Sequence, residues 1–233
     1  GFYLVAIYAV NALSPVIAGR FQVTTTAVKL VPLLLMAIIG TVLGLFSGMT
    51  ARNFTTVVNT DISAGDGLFA SVAAVAFAYE GWIIATSINA EIKNGKRNLP
   101  VALIFGSLIV IFVYIFYYIG LAGAVTTGQL MESGQAGAKL AFRNIFGNVG
   151  GTLIFVFVII SCLGTLNGLM MGCTRGVYTL AVRARGPKPD AFRQLDPVTN
   201  MPSNSAVFGL LLAGFWLLYF YGSNLTAPWF GVF

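Results

Sequence analysis

Six apolar runs, each long enough to cross a lipid bilayer, constrain the fold of this sequence more than any other feature. A helix needs about 20 mostly apolar residues to cross a hydrocarbon core about 30 Å thick. Helices also satisfy every main-chain hydrogen bond within one segment, as a bilayer requires. The sequence therefore predicts an all-α, polytopic transmembrane helical bundle that forms a single domain over residues 1–233. The predicted spans lie near residues 2–18, 27–47, 67–91, 100–125, 150–174 and 204–222.

Composition and charge placement also indicate a membrane protein. Hydrophobic residues make up 58% of the chain and charged residues only 9%, compared with about 25% charged residues in soluble domains. A net charge of +6 is also found in nucleic-acid-binding domains. Here, however, the charges lie in short loops between the apolar runs, which is typical of cytoplasmic loops in membrane proteins. The sequence therefore predicts contact with a lipid bilayer and no nucleic-acid partner.

The distribution of Lys and Arg predicts the orientation of the spans. With six crossings, the connections fall alternately on two sides of the membrane. Of the 13 Lys and Arg residues, one side carries only Arg52, Lys139 and Arg143, and the other side carries the remaining ten. The richer side is expected to be cytoplasmic. The prediction is a multi-pass protein of the cell membrane, the cytoplasmic membrane in a bacterium, whose first span runs inward.

The third run carries an acid and a glycine, Glu80 and Gly81, near its middle. A charged side chain at that depth is unfavourable by several kcal/mol unless it faces water or a polar partner. If the helix opens over residues 77–82, one half ends in free carbonyls and the other begins with free amides. Such groups suit the ammonium and carboxylate of a zwitterion. A continuous helix with a snorkelling acid and a packing glycine explains these residues equally well.

Two motifs in and after this run carry a family resemblance. FAYEGW at residues 77–82 and EIKNGKRNLP at residues 91–100 resemble the sixth span and following loop of amino acid–polyamine–organocation transporters. Within that superfamily, the resemblance is to the L-type amino-acid transporters and the bacterial serine-threonine exchanger branch. It implies a span that is unwound at the aromatic residue and the following glycine.

The resemblance also implies a role for each residue of the first motif. The main chain of Phe77, Ala78 and Tyr79 would bind the amino group of the substrate. The aromatic ring of Phe77 would also close over the site as a gate. Gly81 and Trp82 would begin the inner half-helix.

Residues 19–40 and 159–186 resemble the fifth and eighth spans of the same family. A lysine at the position of Lys29 is implied to replace the sodium ion of sodium-coupled relatives. Ser161 and Thr165 lie four residues apart on one helix face and are expected to line this cation site with Lys29. The residues alone also allow Lys29 to be a snorkelling interfacial cation and the two hydroxyls to serve helix packing.

Glu80 has two interpretations. It could be a proton-coupling or cation-sensing acid, as intramembrane carboxylates are in many transporters. It could instead be hydrated by the cavity without being coupled to transport, because not every perturbed acid is functional. We favour the second interpretation and keep Glu80 as a secondary coupling candidate.

The resemblance covers nearly all of the chain and implies an architecture and an activity. The chain looks like spans four to nine of about twelve, so we expect a fragment of a bundle with the LeuT-type five-plus-five inverted-repeat fold. The implied function is sodium-independent secondary transport of amino acids, with neutral L-amino acids the expected substrates. The mechanism would be alternating access, by exchange or proton coupling. No cofactor is predicted, and the sequence does not reveal a partner subunit.

Three other interpretations compete with transport. An ion channel or receptor-like bundle also has polar residues within its spans, but the sequence has neither charged rings nor a repeated filter motif. A membrane enzyme needs acid–base or metal chemistry. This chain has no histidine, and Glu80 is its only acid deep in a predicted span. Cys162 and Cys173 have no partners that would indicate a disulfide framework or a metal site. A fragment that does not itself transport remains the third alternative.

Overall fold

The computed structural model describes residues 1–56, 64–87 and 92–226. Within these ranges the chain forms helices, turns and loops and contains no β-strand, which confirms the predicted all-α class. A π-helical turn (Met36–Gly40) and a 3₁₀ turn (Gly134–Ala136) join some of the α-helices. The α-helices are α1 (Phe2–Leu13), α2 (Pro15–Leu35), α3 (Thr41–Ser47), α4 (Met49–Thr55), α5 (Ala64–Ala78), α6 (Trp82–Ser87), α7 (Gly95–Ala124), α8 (Thr127–Ser133), α9 (Gly137–Ala181), α10 (Pro189–Phe192) and α11 (Ser203–Thr226).

Long apolar helices correspond to four of the six predicted runs. Two shorter apolar helices, Phe2–Leu13 and Gly65–Ala76, lie in the other two runs. Within the described ranges, four helical segments are long and apolar enough to cross a membrane by length and composition. They are Val16–Ser47, Gly95–Ala124, Gly137–Ala181 and Ser203–Asn224.

The first two helices meet at a different point from the one predicted. Ser14 has an extended backbone, with φ −153° and ψ 99°, and ends α1 at Leu13. Pro15 then begins α2, a position that suits proline because the first amide of a helix needs no intrahelical partner. Residues 15–18, which the sequence predicts in the first span, form the first turn of the second helix.

Helix α9 consists of two helical segments that meet at a kink. Gly147, at the kink, has φ 68° and ψ −164°, which is not a helical conformation. This backbone conformation is accessible to glycine and strained for other residues. The predicted fifth span, near residues 150–174, lies within the segment after the kink.

The chain divides into two compact units. Residues 1–23, 83–95 and 163–233 form the first unit, and residues 24–82 and 96–162 form the second. Helices α2, α6, α7 and α9 each contribute to both units.

In the second unit, glycines allow the π-helical turn and α3 to lie against α7. A Cβ atom added to Gly120 would collide with the main-chain carbonyl of Met36, and one added to Gly123 would collide with that of Gly40. A Cβ atom at Gly44 would in turn collide with Gly123 and with the hydroxyl of Thr50. Small residues let membrane helices approach closely in this way. The glycines therefore fix the position of the carboxyl end of α7.

Buried side chains and one asparagine surround that end of α7. The side chains of Met36, Val125 and Phe142 belong to its apolar core. Asn53 donates through Nδ2 to the carbonyls of Ala122 and Val125, at 2.6 and 2.8 Å. Carbonyls in the last turn of a helix have no partner within it, and Asn53 supplies one.

In the first unit, α9 and α11 pack closely. A Cβ atom at Gly209 would lie 2.7 Å from the carbonyl oxygen of Cys173. The main-chain amide of Tyr178 also donates to Oγ of the fully buried Ser205, at 3.0 Å. Helix α1 packs against α11 in the same unit.

The connection between α9 and α11 contains an ordered turn at Asp196. Its carboxylate oxygen Oδ1 accepts hydrogen bonds from the amides of Thr199 and Val198, at 2.8 and 2.9 Å, and from the Thr199 hydroxyl at 3.1 Å. These bonds favour the charged carboxylate, so they hold the pKa of Asp196 below its ordinary value. The connection between α9 and α11 is therefore locally ordered at Asp196, although it is exposed.

Candidate functional site

The third apolar run is interrupted within the described residues. Helix α5 ends at Ala78, a turn follows over residues 79–81, and α6 begins at Trp82. The amide of Tyr79 makes the last bonds of α5, to the carbonyls of Val75 and Ala76 at 3.2 and 3.3 Å. The main-chain groups at the ends of both helices have no partner within their own helix. The structure therefore agrees with the interrupted helix and not with the continuous one.

Gly81 does not act as a packing glycine. A Cβ atom added at Gly81 would meet no heavy atom within 4 Å, so no neighbouring helix requires a glycine there. Glu80, beside it in the turn, has an exposed side chain, and Trp82 is 59% exposed. A continuous span held by glycine packing does not describe this part of the chain, because α5 stops at Ala78 and a Cβ atom at Gly81 would make no close contact.

Tyr79, in the turn, contacts another helix. Its ring lies 5.3 Å from the ring of Tyr114 in α7, measured between centroids, with the planes at 67°. Aromatic pairs prefer this edge-to-face arrangement. Tyr79 is half-buried, whereas Ala78 before it is exposed. The predicted gate residue, Phe77, belongs to the last turn of α5, and its side chain lies outside the described part of the structure.

The structure does not join the predicted cation-site residues by hydrogen bonds. Lys29 in α2 and Ser161 in α9 are both half-buried in the second unit. Within the residues that the structure describes, the side chains of Lys29 and Ser161 form no hydrogen bond with each other. Thr165 is exposed and belongs to the first unit. The grouping of these three residues stays a prediction.

Sequence reasoning missed a buried polar network in the first unit. Asn11 is 1% exposed and donates through Nδ2 to Oδ1 of Asn167, at 2.9 Å. Asn167 is fully buried and donates to the carbonyl of Ala18 at 3.2 Å and to Oε1 of Gln22 at 2.8 Å. The sequence hints that Asn11 is involved in a polar contact, because Asn11 interrupts an otherwise apolar run. It contains no signal that Asn11 pairs with Asn167, which lies 156 residues away.

A cavity of about 160 Å³, lined by both polar and apolar side chains, also lies in the first unit. The guanidinium of Arg175, which is 3% exposed, donates to the carbonyl of Met171 and to the Thr174 hydroxyl, both at 3.2 Å. None of the predicted site residues contributes to the cavity, and the described chain contains no cluster of potential metal ligands. The cavity is lined by Ser87, Arg175, Tyr178, Thr179, Leu195, Asn200 and Pro202.

With the interrupted helix established, comparison with known proteins identifies the family. The family model for amino acid permeases matches residues 2–229, which is nearly the whole chain. The chain belongs to the amino acid permease family. This assignment confirms the predicted membership of the amino acid–polyamine–organocation superfamily. This permease chain is therefore part of a multi-pass protein of the cell membrane.

Curated relatives agree with this assignment. The chain is 32% identical over 205 residues to the serine/threonine exchanger SteT of Bacillus subtilis, covering 88% of this chain and 45% of the relative. It is 31% identical over 175 residues to the rabbit b(0,+)-type amino acid transporter 1, covering 75% of this chain and 35% of the relative. The human cystine/glutamate transporter is 23% identical over 185 residues, covering 79% of this chain and 36% of the relative. The permease chain thus spans about a third to just under half the length of these relatives.

Proposed function

We propose that the full-length protein carries amino acids across the cell membrane by alternating access, as an exchanger or a proton-coupled carrier. The observation that carries this proposal is the turn at residues 79–81, which interrupts an apolar span at the motif shared with the family. Interrupted helices form the substrate sites of many transporters, because their ends offer main-chain groups that a continuous helix uses itself. The exchanger and transporter names of the relatives support the same function.

The turn suits the two charged groups that all amino acids share. Carbonyls at the end of α5, over Phe77, Ala78 and Tyr79, would accept hydrogen bonds from the substrate ammonium. Main-chain amides around Gly81 and Trp82 would donate to its carboxylate. Recognition by main-chain groups selects amino acids as a class and leaves the side chain to be selected by the walls of the pocket. Phe77 is proposed to close over the bound substrate.

Neutral L-amino acids are the proposed substrates, and sodium is not a proposed coupling ion. The name of the Bacillus relative, a serine/threonine exchanger, supports small neutral substrates. Lys29 is half-buried, and its ammonium, with the hydroxyls of Ser161 and Thr165, is proposed to stand where sodium binds in coupled relatives. A fixed positive charge at that place disfavours a second cation. Glu80, exposed in the turn, is proposed to be hydrated rather than coupled to protons.

Uptake by the purified full-length protein in liposomes tests the proposal. The probes are radiolabelled L-serine, L-threonine, L-leucine, L-arginine and L-glutamate, each with and without external sodium and with and without a pH gradient. We expect uptake of at least one neutral amino acid at a rate that sodium does not change. Competition by the N-acetyl and methyl-ester derivatives of that amino acid should be weak, because each lacks one of the two charged groups. Strict dependence on sodium would contradict the role of Lys29, and strong competition by both derivatives would contradict binding at the turn.

A further inference from the structure

We infer that Tyr114 positions the substrate site from outside it, by holding Tyr79 in the turn between α5 and α6. This inference rests on the proposed function, in which the main chain of Tyr79 binds the substrate amino group. Tyr114 itself lies in α7, outside the motif that carries the family resemblance. Its role is to fix the place of a neighbouring residue, and it is not proposed to touch the substrate.

The geometry of the turn shows why such support is needed. Tyr79 follows the last helical residue of α5, and its amide is shared between two carbonyls at 3.2 and 3.3 Å, those of Val75 and Ala76. The next two residues, Glu80 and Gly81, are exposed, and Gly81 has no close neighbour. The edge-to-face contact with Tyr114, at 5.3 Å between ring centroids, is the ring contact that ties this turn to another helix of the described chain.

Helix α7 is well placed to give that support, because its carboxyl half is fixed. Gly120 and Gly123 lie so close to the main chain of residues 36–44 that neither can carry a side chain without displacing it. Tyr117, one turn after Tyr114, packs against the buried core of the second unit. A ring at Tyr114 thus projects from a helix that cannot easily slide or rotate. The position of the turn at residues 79–81 therefore depends on its contact with a rigid part of α7.

The same helix supplies a matched control. Tyr118, four residues after Tyr114, also makes an edge-to-face contact, with the ring of Phe54 in α4, at 6.1 Å between centroids and 70° between planes. Tyr118 lies on the same helix as Tyr114, and its aromatic partner belongs to α4 rather than to the turn. Replacing either tyrosine removes one aromatic pair of similar geometry. Only the loss of Tyr114 should change substrate binding.

The experiment compares Tyr114→Leu, Tyr114→Phe and Tyr118→Leu in the purified full-length protein. The measurements are the Kd for the neutral amino acid of the panel with the highest uptake, the KM for its uptake, and the thermal stability. We expect Tyr114→Leu to raise Kd and KM by about two- to tenfold, as the loss of one aromatic pair implies. Tyr114→Phe keeps the ring and should restore wild-type values. Tyr118→Leu should match Tyr114→Leu in stability and the wild type in Kd.

Tyr79→Leu keeps the inference testable if Tyr114→Leu folds poorly, because it removes the same ring contact from the other side and should raise Kd by a similar factor. Where both single variants fold, a double-mutant cycle adds a second test: the double variant should bind no more weakly than Tyr79→Leu alone, because both changes remove one contact. A wild-type Kd in Tyr114→Leu, multiplicative effects in the double variant, or an equal loss in Tyr118→Leu would overturn the inference while leaving the transport proposal intact. A wild-type protein that neither binds nor takes up any amino acid of the panel would remove both.

Discussion

The side-chain amide of Asn11 donates a hydrogen bond of 2.9 Å to the side-chain oxygen of Asn167, although the two residues lie 156 positions apart. Both side chains are at least 99% buried. In an apolar surrounding an unpaired amide is unfavourable, so the pair fixes which faces of α1 and α9 meet. The bonds from Asn167 to Ala18 and Gln22 extend this link to the first turns of α2.

Replacing Asn167 with Ala should destabilise the protein by about 1–3 kcal/mol, since it removes the buried hydrogen bonds that Asn167 makes with Asn11, Ala18 and Gln22. In a double-mutant cycle, the coupling between Asn11→Ala and Asn167→Ala should be smaller, about 0.6 kcal/mol and at most about 1.7 kcal/mol. Unfolding in mixed micelles measures both. Thr152→Ala is the control, because Thr152 is exposed and bonds only its own helix within the described structure. A variant at Asn167 as stable as this control would show that the network does not hold the helices.

The close contact of α7 with the π-helical turn predicts opposite effects for two glycines of the same helix. Gly120→Ala should destabilise by about 1–3 kcal/mol, because its Cβ atom would overlap the carbonyl of Met36. Gly106→Ala should be neutral or stabilising by up to about 1 kcal/mol, because its Cβ atom would meet nothing within 4 Å and alanine favours a helix. Thermal unfolding of both variants in the same detergent measures the difference. Equal stability of the two would contradict the close packing.

Phe77→Ala should reduce amino-acid uptake on the order of tenfold or more while leaving the amount of protein in the membrane near the wild-type level. The reason is that the gate no longer closes over the bound substrate. Phe105→Ala is the matched control, because Phe105 is 61% exposed on α7 and lies outside the proposed site. Uptake by Phe77→Ala that equals uptake by the control, at equal protein levels, would remove the gate assignment.

Lys29→Ala should impair exchange more than folding, because the positive charge proposed to replace sodium is lost. We expect uptake to fall by about tenfold, with a Tm within about 4 °C of the wild type. Lys139→Ala serves as the control, since Lys139 is exposed at the start of α9, where its ammonium lies 4.7 Å from the centre of the Phe155 ring. Normal exchange by Lys29→Ala would mean that Lys29 is an interfacial cation.

The hydrophobic pattern was sufficient to predict the all-helical class and the approximate place of the long helices. It could not place the end of α1 at Leu13 or the kink of α9 at Gly147, because these features depend on the local backbone of Ser14 and Gly147. Hydropathy averages over about 20 residues and does not detect a single extended or left-handed residue.

The candidate site was partly predictable from local sequence. Glu80 and Gly81 in an apolar run suggested the interruption, and the family motif placed it within one or two residues of the observed turn. The Tyr79–Tyr114 and Asn11–Asn167 contacts join segments that are far apart in sequence. Such pairs depend on how helices pack, for which the order of residues in one helix contains no direct signal.

Counterflow in liposomes shows directly whether the full-length protein exchanges amino acids. Liposomes containing the full-length protein are loaded with unlabelled L-serine and L-threonine and diluted into sodium-free buffer that contains a trace of radiolabelled L-threonine. We expect a transient accumulation of label that requires internal amino acid, does not require sodium, and is lost in Phe77→Ala. No accumulation by protein shown to be folded, with any amino acid of the panel inside and outside, would contradict the claim that this permease transports amino acids through the site at the interrupted helix.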